Sequence, residues 1–365
     1  MQLETSLLLN MKKILIVDFN GTAPIYTHYF SQGLSKSNWD VKILGYKNSE
    51  HLNFSSTLTP YIGTQIFGKS INYLINWIYL LKICKKYDII NIQWFQMLNK
   101  TGLELYLIRI LKFLNPNIYY TVHNIYPHNC INKKLVKRYN RLYQIIDNFL
   151  IHTQKSKKQI QDIVNTKKKY VNINHGYFYN EFSEDKKEFS QIKLLMIGYI
   201  SKYKGITDAI KVVSILKKDN YNVILSIKGL CNNDNEYLNE IHELITELDL
   251  EENVLIENKF ITTTELVQAY QSATFSIMPY KKIEQSGVLF TSLGLGTPVV
   301  AYDIGGLSDI IISGLNGYLA RQNDIDDLSK GIIKCLNNYE MIKTNLSKGS
   351  KNNLWVLNGS ILNDI

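Results

Sequence analysis

The sequence has little that indicates a metal-binding or disulfide-stabilised protein. Its four cysteines, Cys84, Cys130, Cys231 and Cys335, lie far apart and have none of the paired spacings typical of zinc ligands. We interpret them as reduced thiols of a cytosolic protein. Zinc-finger and aromatic RNA-binding signatures are also missing, so nucleic acid is the weakest of the partners that the net charge of +9 allows. Phosphate-bearing substrates and an anionic membrane surface remain.

Long hydrophobic runs are absent as well. A spanning helix needs roughly 20 apolar residues, and the most hydrophobic segment, residues 71–84, is shorter than that. The apolar stretch Ile14–Val17 is too short for a signal peptide. We therefore expect a cytoplasmic protein without transmembrane segments. The amphipathic segment 70–95 has two interpretations: it lies on a membrane surface, or it forms a buried helix and strand.

What the sequence does contain is an alternation of short apolar runs with helical segments, repeated in its two halves. Continuous apolar strands separated by helices are typical of parallel sheets covered on both faces. The chain has 365 residues, of which 45% are hydrophobic, enough for two domains with separate cores. The predicted strands are residues 13–18, 40–46, 88–95, 118–123 and 148–153, and then 192–198, 221–229, 253–258, 274–280, 297–303 and 317–320.

This pattern predicts an α/β protein with two Rossmann-like domains. We place the N-terminal domain at residues 11–180, a charged linker at 181–191, the C-terminal domain at 192–340 and a C-terminal tail or helix at 341–365. In doubly wound sheets, ligands bind beyond the carboxyl ends of the strands. Residues that directly follow strands are therefore the first candidates for a site.

Three such stretches lie in the second half. Lys204 precedes Gly205 at a helix start, where its charge adds to that of the helix terminus and favours phosphate. Ser286 and Gly287 fall at the start of another helix, whose unpaired amides can bind an anion. Gly305 follows a third strand and allows close backbone approach. The plainer alternatives are a solvated lysine, a serine N-cap and a simple turn.

Two stretches in the first half also follow strands. His123 comes directly after a predicted strand, which places it at the ligand-binding edge of its sheet. Gly21 follows the first strand, in a turn that allows backbone to approach a ligand. The stretch lacks a full G-x-G-x-x-G pattern, which argues against a dinucleotide-binding fingerprint.

Taken in order and spacing, several of these stretches resemble a known family. They are TVHNIYPH, INHGYF, IGYISKYKGI, NKFITTTELVQAYQSATFSIMPY, QSGVLFTSLGLGTPVVAYDIGGLSDII and SGLNGYLA. The sequence resembles the bacterial family 4 retaining glycosyltransferases (glycosyl transferases group 1), and the likeness extends from Met11 to about Asn337. This resemblance implies the GT-B fold, in which two facing Rossmann-like domains leave a ligand cleft between them.

The resemblance also implies roles for individual residues. Lys204 matches the family lysine directly, and Lys202 stands in for a basic residue that usually precedes it. These lysines would bind the donor diphosphate with the amides of Ser286, Gly287 and Val288. The remaining implied site residues are His123 and Glu284, as catalytic groups that contact the sugar, and Gly21 and Thr291, as donor-binding positions.

The sequence departs from the family at its acidic positions. Many members carry two glutamates separated by seven residues, and the corresponding positions here are Ile283 and Thr291. Glu284 is one place away from the first position. Thr291 occupies the second, whose usual role is toward the ribose. Whether Glu284 replaces the displaced glutamate is left open by the sequence.

The implied activity is transfer of a sugar from a nucleotide-sugar to an acceptor hydroxyl with retention, in surface polysaccharide or glycolipid synthesis. No metal or other cofactor is expected, because lysines and a helix terminus can stabilise the departing diphosphate, and no Asp-x-Asp follows a strand. The expected partners are the nucleotide-sugar, a sugar or lipid-linked saccharide acceptor and the inner membrane surface, with no nucleic acid. Two alternatives remain: a non-catalytic sugar-nucleotide-binding protein and a nucleotide-sugar epimerase of the same architecture.

Overall fold

The chain folds into two compact units, each with its own sheet and core. The computed structural model describes residues 11–45, 60–64, 66, 68–127, 132–183, 190–231, 234–283, 286–350 and 354–365. Met1–Gly176 and Asn353–Ile365 form the N-terminal unit, and Tyr177–Asn352 form the C-terminal unit.

The N-terminal unit contains a seven-stranded parallel sheet with strand order β3-β2-β1-β4-β5-β6-β7. Its central strands are buried along nearly their whole length, which is why they have continuous apolar sequences. The strands are β1 (Lys13–Asp18), β2 (Asp40–Gly45), β3 (Tyr61–Ile62), β4 (Ile89–Ile92), β5 (Ile118–Val122), β6 (Asn148–Ile151) and β7 (Lys169–Asn172).

The C-terminal unit repeats this architecture with six parallel strands in the order β10-β9-β8-β11-β12-β13. In both sheets the order reverses direction beside the first strand, as in doubly wound folds. The strands are β8 (Ile192–Ile197), β9 (Val223–Lys228), β10 (Val254–Glu257), β11 (Phe275–Met278), β12 (Val299–Tyr302) and β13 (Gly317–Ala320). The prediction of a parallel α/β protein is confirmed.

Helices connect the strands in both units. Those of the N-terminal unit are α1 (Pro24–Ser35), α2 (Lys69–Ile83), α3 (Glu104–Leu114), α4 (Lys133–Ile145) and α5 (Gln154–Ile163). Those of the C-terminal unit are α6 (Ile206–Lys218), α7 (Asn235–Glu247), α8 (Thr263–Ser272), α9 (Gly287–Gly294), α10 (Ile325–Asn337) and α11 (Tyr339–Ser350). The last helix, α12 (Leu354–Asn363), belongs to the N-terminal unit.

The boundary between the units differs from the predicted linker. The described residues around 178–183 pack on the C-terminal unit, because the Phe178 amide donates to the Phe290 carbonyl at 3.3 Å and the Gln271 amide donates to the Phe182 carbonyl at 3.0 Å. The C-terminal unit therefore begins before residue 192, the predicted start of the second domain. Residues 184–189 of the predicted linker lie outside the described residues.

Helix α12 is held to the N-terminal unit by hydrogen bonds from buried polar side chains. The Trp39 indole donates to the Gly359 carbonyl at 3.1 Å. The Asn358 side chain accepts from the Asn174 amide at 2.8 Å and donates to its carbonyl at 2.9 Å. The predicted tail 341–365 thus contains two helices that belong to different units.

The segment 70–95 combines a helix with one buried and one exposed face and a buried strand. Tyr73, Trp77 and Leu80 of α2 point into the core, and β4 is buried throughout. Ile71 and Ile78 of α2 are exposed. No helix formed by the described residues combines the length and hydrophobicity that crossing a bilayer requires.

Candidate functional site

Two stretches predicted from the sequence meet beside Gly198 in the C-terminal unit. Gly198 directly follows β8 and has a φ of +104°, which glycine adopts without strain. A Cβ atom built there would lie 2.7 Å from Nζ of Lys204 and 3.9 Å from a methyl group of Val288. The lysine and the first turn of α9 therefore both lie close to the bare backbone at Gly198.

Lys204 is a buried lysine whose ammonium group has mainly neutral partners. It ends the 3₁₀ turn Lys202–Lys204, and its side chain folds back so that Nζ donates to the Ile197 carbonyl at 3.0 Å. The same Nζ atom lies 3.4 Å from the Tyr280 hydroxyl. Among the described residues, no carboxylate lies within ion-pair distance of Lys204. Burial lowers the pKa of Lys204, because removing the charge from water disfavours it.

Ser286 forms the N-cap of α9. Its hydroxyl accepts a hydrogen bond from the Leu289 amide at 3.4 Å, and it also shares a hydrogen bond with Tyr280, whose pKa burial raises to about 12. The amides of Gly287 and Val288 lie in the first turn, where an α-helix has no carbonyl partner for them. This arrangement produces the positive end of a helix next to a buried lysine, which is a suitable environment for a phosphate group.

Tyr280 is a residue of this site that the sequence analysis missed. Its hydroxyl contacts both Lys204 and Ser286, and its ring lies 5.2 Å from Nζ of Lys204. The signal was present in the sequence, since Tyr280 follows strand β11 at the same sheet edge as the other candidates. We interpret Tyr280 as a positioning residue that joins the lysine to the helix N-terminus.

The glycines of the site fall into two groups. At Gly205, with φ of +67°, a Cβ atom would lie 2.0 Å from the Pro279 carbonyl oxygen. At Gly305, with φ of +57°, it would lie 1.9 Å from the Ile283 carbonyl oxygen. Protein packing therefore requires these two glycines. At Gly287 a Cβ atom would meet, among the described residues, only the Phe178 ring, at 3.9 Å, so the packing of the described residues does not explain the absence of a side chain there.

Two of the predicted residues, Lys202 and Thr291, have other surroundings. Lys202 is exposed and forms an ion pair with Glu240 at 3.3 Å, away from Lys204. Thr291 is buried one turn into α9, where its hydroxyl donates to the Gly287 carbonyl at 2.9 Å. Glu284 lies outside the described residues.

In the N-terminal unit, His123 ends a chain of buried amide side chains at the carboxyl end of the sheet. The Asn91 amide donates to the Thr121 hydroxyl at 2.8 Å, and the Gln93 amide donates to the Asn91 oxygen. The remaining Gln93 oxygen lies 2.8 Å from Nε2 of His123. Because an amide oxygen only accepts, this network assigns the proton of His123 to Nε2 and leaves Nδ1 as a hydrogen-bond acceptor.

Aromatic side chains enclose His123. Its ring stacks on Trp94 at 4.6 Å and meets the edge of Tyr26 at 4.6 Å, while His152 lies 6.1 Å away. Burial, and to a smaller extent His152, hold the pKa of His123 well below its usual range, so the ring is neutral at neutral pH. The buried indole N–H of Trp94, whose ring stacks on His123, has no hydrogen-bond partner among the described residues.

Gly21 occupies the turn between β1 and α1 as predicted from its position. Its φ is +60°, and its amide donates to the Asp18 carbonyl at 3.0 Å. The buried Asp18 carboxylate fixes the turn by accepting from the Thr22 amide at 2.9 Å and from the Thr27 hydroxyl at 3.1 Å. Gln96, which follows β4, hydrogen-bonds to Asn20 and Thr22 and links the two loops.

Within the described part of the chain, no group of three or more His, Cys, Asp or Glu side chains is arranged to hold a metal ion.

Comparisons with known proteins show similarity to glycosyltransferases in the C-terminal unit. Residues 180–352 match the family model of the glycosyl transferases group 1. An uncharacterized glycosyltransferase of Haemophilus influenzae is 27% identical over 149 residues, which are 40% of this chain and 40% of that protein. Protein CapJ of Staphylococcus aureus is 24% identical over 186 residues, 51% of this chain and 46% of CapJ. The alignments thus span less than half the length of these curated relatives.

Solved structures resemble the whole chain. The Anabaena protein Alr3699/HepE, in complex with UDP and glucose, superimposes with a TM-score of 0.70 at 17% identity and covers 97% of this chain and 100% of that one. TarM superimposes with a TM-score of 0.70 at 14% identity, covering 98% of both chains. At these identities the likeness establishes the fold, which is GT-B. The chain therefore has the GT-B fold, and its residues 180–352 match the family model of the glycosyl transferases group 1.

Proposed function

We propose that this protein is a glycosyltransferase that transfers a sugar from a nucleotide-sugar to an acceptor hydroxyl with retention of anomeric configuration. The observation that carries the proposal is the convergence of Lys204, Tyr280 and the N-terminus of α9 beside Gly198. A buried ammonium group and unpaired helix amides stabilise the negative charge that develops on a departing nucleoside diphosphate. The match of residues 180–352 to the glycosyl transferases group 1 supports this interpretation.

In the proposed reaction, each residue has a role that its surroundings allow. Lys204 and the amides of Gly287 and Val288 bind the diphosphate oxygens, and Tyr280 and Ser286 keep these groups in place. Neutral His123 accepts a hydrogen bond from a sugar hydroxyl through Nδ1 and so orients the ring. The leaving phosphate oxygen takes the proton of the acceptor hydroxyl, which requires no protein base. We propose that the reaction needs no metal ion.

We propose the donor class from similar proteins whose structures contain a bound nucleotide. Because HepE has been solved with UDP-glucose and a TarM variant with UDP, a UDP-sugar is the first donor to test. We propose a role in surface polysaccharide or glycolipid synthesis. We further propose that the protein works in the cytoplasm at the inner face of the membrane, where lipid-linked acceptors are found.

The test is a donor and acceptor screen with the full chain. Thermal shift first identifies which nucleotide-sugars bind. Each one that binds is then incubated with candidate acceptors in excess EDTA, and nucleoside diphosphate release, the new glycosidic linkage and its anomeric configuration are measured. Formation of a linkage with retention is the expected result. Inversion would contradict the proposed stereochemistry, and activity that disappears in EDTA would contradict metal independence.

The same screen separates the two alternatives. A non-catalytic binding protein would give a thermal shift with a nucleotide-sugar but neither diphosphate release nor a linkage with any acceptor. An epimerase would change the configuration of the donor sugar without needing an acceptor, which NMR of the donor detects. Either result would overturn the proposed transfer.

A further inference from the structure

The outer face of α2 and α3 carries a stripe of exposed apolar side chains. The helices pack side by side, because the Tyr73 hydroxyl donates to the buried Glu104 carboxylate and the Asn115 amide donates to the Cys84 carbonyl at 2.8 Å. The exposed apolar residues recur at helical spacing along one face of each helix. They are Ile71, Leu74 and Ile78 on α2 and Leu103, Tyr106, Ile110 and Phe113 at α3.

A basic groove lies next to this apolar stripe, between α3 and α4. Its volume is about 580 Å³, and the described residues that line it include five cationic side chains and no acidic one. The five are Arg109, Lys134, Lys137, Arg138 and Arg141. Tyr106 contributes to both the stripe and the groove, so the two features are continuous.

The positive charge of the groove is not balanced locally. Arg138 donates to the Leu98 carbonyl at 2.6 Å and Arg109 to the Leu105 carbonyl at 3.1 Å, which are neutral acceptors. Within the described part of the chain, none of the five cations forms an ion pair with Asp or Glu. Residues 69–146 contain twelve Lys or Arg and only two acidic residues, and one of these, Glu104, is buried. An anionic surface would supply the missing counter-charge.

We infer that this face binds an anionic phospholipid bilayer, with lipid phosphate groups in the basic groove and the apolar stripe at the acyl boundary. Apolar side chains along one helix face, flanked by Lys and Arg, are typical of helices that lie in a membrane interface. A nucleic acid would explain the basic groove but not the apolar stripe, because a phosphate backbone has no apolar surface to pack against it. This inference rests on the proposed function only for the location at the inner face of the membrane. It adds which surface of the protein contacts the membrane.

The first experiment is flotation of the full chain with vesicles, in the absence of donor and acceptor. We expect co-flotation with phosphatidylcholine vesicles that contain about 30% phosphatidylglycerol, and at least tenfold less with phosphatidylcholine alone. Equal binding to both would overturn the role of the groove. Because no sugar transfer is measured, failure here leaves the proposed reaction untouched, and failure of the reaction leaves this result untouched.

Matched variants locate the surface. The double substitution Lys137→Gln and Arg141→Gln should weaken binding roughly tenfold or more, since each basic residue near an anionic surface contributes about a fivefold factor. The control is Lys211→Gln with Lys218→Gln, two exposed lysines of α6 in the C-terminal unit. An equal loss in the control would mean that net charge alone drives binding, and would overturn the proposal.

Insertion of the apolar stripe is tested at Phe113, which is 89% exposed. In a Phe113→Trp variant, brominated lipids should quench the fluorescence of the added tryptophan. The control is Ile312→Trp, at a 56% exposed position of the C-terminal unit, whose added tryptophan should not be quenched. Vesicle binding without quenching at position 113 would show that the stripe stays in water, which contradicts the proposal.

Discussion

At the scale of the residue, Lys204 has the most informative surroundings. A buried ammonium group that donates to a carbonyl and to a tyrosine hydroxyl loses much of its hydration, and the described residues supply no counter-charge. Such a group lowers the stability of the unliganded protein, and an anion that neutralises it recovers that loss on binding. We therefore expect the same residue to weaken the fold and to strengthen donor binding.

Substitution of Lys204 by Met tests this expectation. Met keeps much of the side-chain volume and removes the charge, so the free energy of unfolding of the unliganded protein should stay the same or rise. Donor binding should weaken by on the order of 2 kcal/mol, because a charge-assisted contact to phosphate is lost. Urea unfolding and calorimetric titration with the donor measure the two effects. Unchanged donor affinity in the folded variant would place the phosphates elsewhere.

Substitution of Gly287 by Val separates ligand contact from packing. Of the residues that the structure describes, a Cβ atom at Gly287 meets only the Phe178 ring, at 3.9 Å, so the variant should keep near-normal stability. Donor binding should be abolished, because the side chain would occupy the space next to the helix amides. Thermal unfolding and donor titration test both parts, with Gly205→Ala as a comparison that should unfold more easily because of its 2.0 Å approach to Pro279.

Substitution of Glu284, three residues before Gly287, should have a smaller effect on activity than substitution of Gly287. Glu284→Gln keeps the shape of the side chain and removes its charge, so turnover should fall only if Glu284 contacts the donor sugar. Normal binding by Gly287→Val would refute the anion site, whereas a silent Glu284→Gln would refute only the role of the carboxylate.

The buried histidines give the N-terminal unit a defined pH dependence. Burial lowers the pKa of His123 and His175 well below 6.5 and that of His152 to about 4. Below pH 6.5 the unfolded chain therefore binds protons that the folded unit does not, and stability falls as the pH drops from 6.5 toward the folded pKa values. Urea unfolding between pH 7 and about 4.5 should show this decrease. His152→Gln should make it shallower, and a pH-independent midpoint would contradict the assigned neutral state.

At the scale of the element, the central strands and their order along the chain follow from sequence, whereas β3 and β7, the two edge strands of the N-terminal sheet, do not. Strands β1 and β8 begin where the apolar pattern predicts, because both are buried on two faces. Strand β3 has only two residues, and β7 contains a single buried residue, Val171, so neither leaves a periodic signal. These edge strands form because a neighbouring strand supplies hydrogen-bond partners, which the local sequence does not reveal.

Some residues of the candidate site could likewise be predicted from sequence, and others could not. Positions after strand ends, such as Gly198 and His123, follow from the predicted topology. Contacts between side chains on different strands do not, and so the partners Tyr280 and Gln93 were missed. The two lysines of the 3₁₀ turn show a further limit: Lys204 is buried while Lys202 is exposed and pairs with Glu240, although they are two positions apart.

Helix α12 supplies a prediction at this scale. Asn358 is fully buried and makes two hydrogen bonds to the backbone of Asn174. Asn358→Ala removes both hydrogen bonds to the half-buried backbone of Asn174 and should reduce the free energy of unfolding by about 1–2 kcal/mol. Urea unfolding measures the loss, and Asn363→Ala, at an exposed position of the same helix, should change stability little. Equal effects of the two substitutions would mean that helix propensity, and not the hydrogen bonds, is responsible.

At the scale of the whole molecule, the net charge of +9 has a kinetic consequence. A positively charged protein attracts an anionic donor over distances that salt screens. The association rate constant for the donor should therefore fall when salt is raised from about 50 mM to about 500 mM. Stopped-flow binding measures this, with uncharged glucose as the control ligand for general salt effects on the protein. A donor association rate that does not change with salt would exclude long-range attraction.

The close approach of Gly205 to Pro279 and of Gly305 to Ile283 also bears on how this sequence can change over generations. Its abundance of Lys, Asn, Ile and Tyr is that of a gene with AT-rich codons, whereas every glycine codon begins with two guanines. Mutational drift toward A and T therefore acts directly against glycine. At Gly205 and Gly305 a side chain would overlap a neighbouring carbonyl oxygen, so such replacements are eliminated with the fold itself. At Gly287 the described residues leave room for a side chain, and selection for donor binding would then be what keeps the codon.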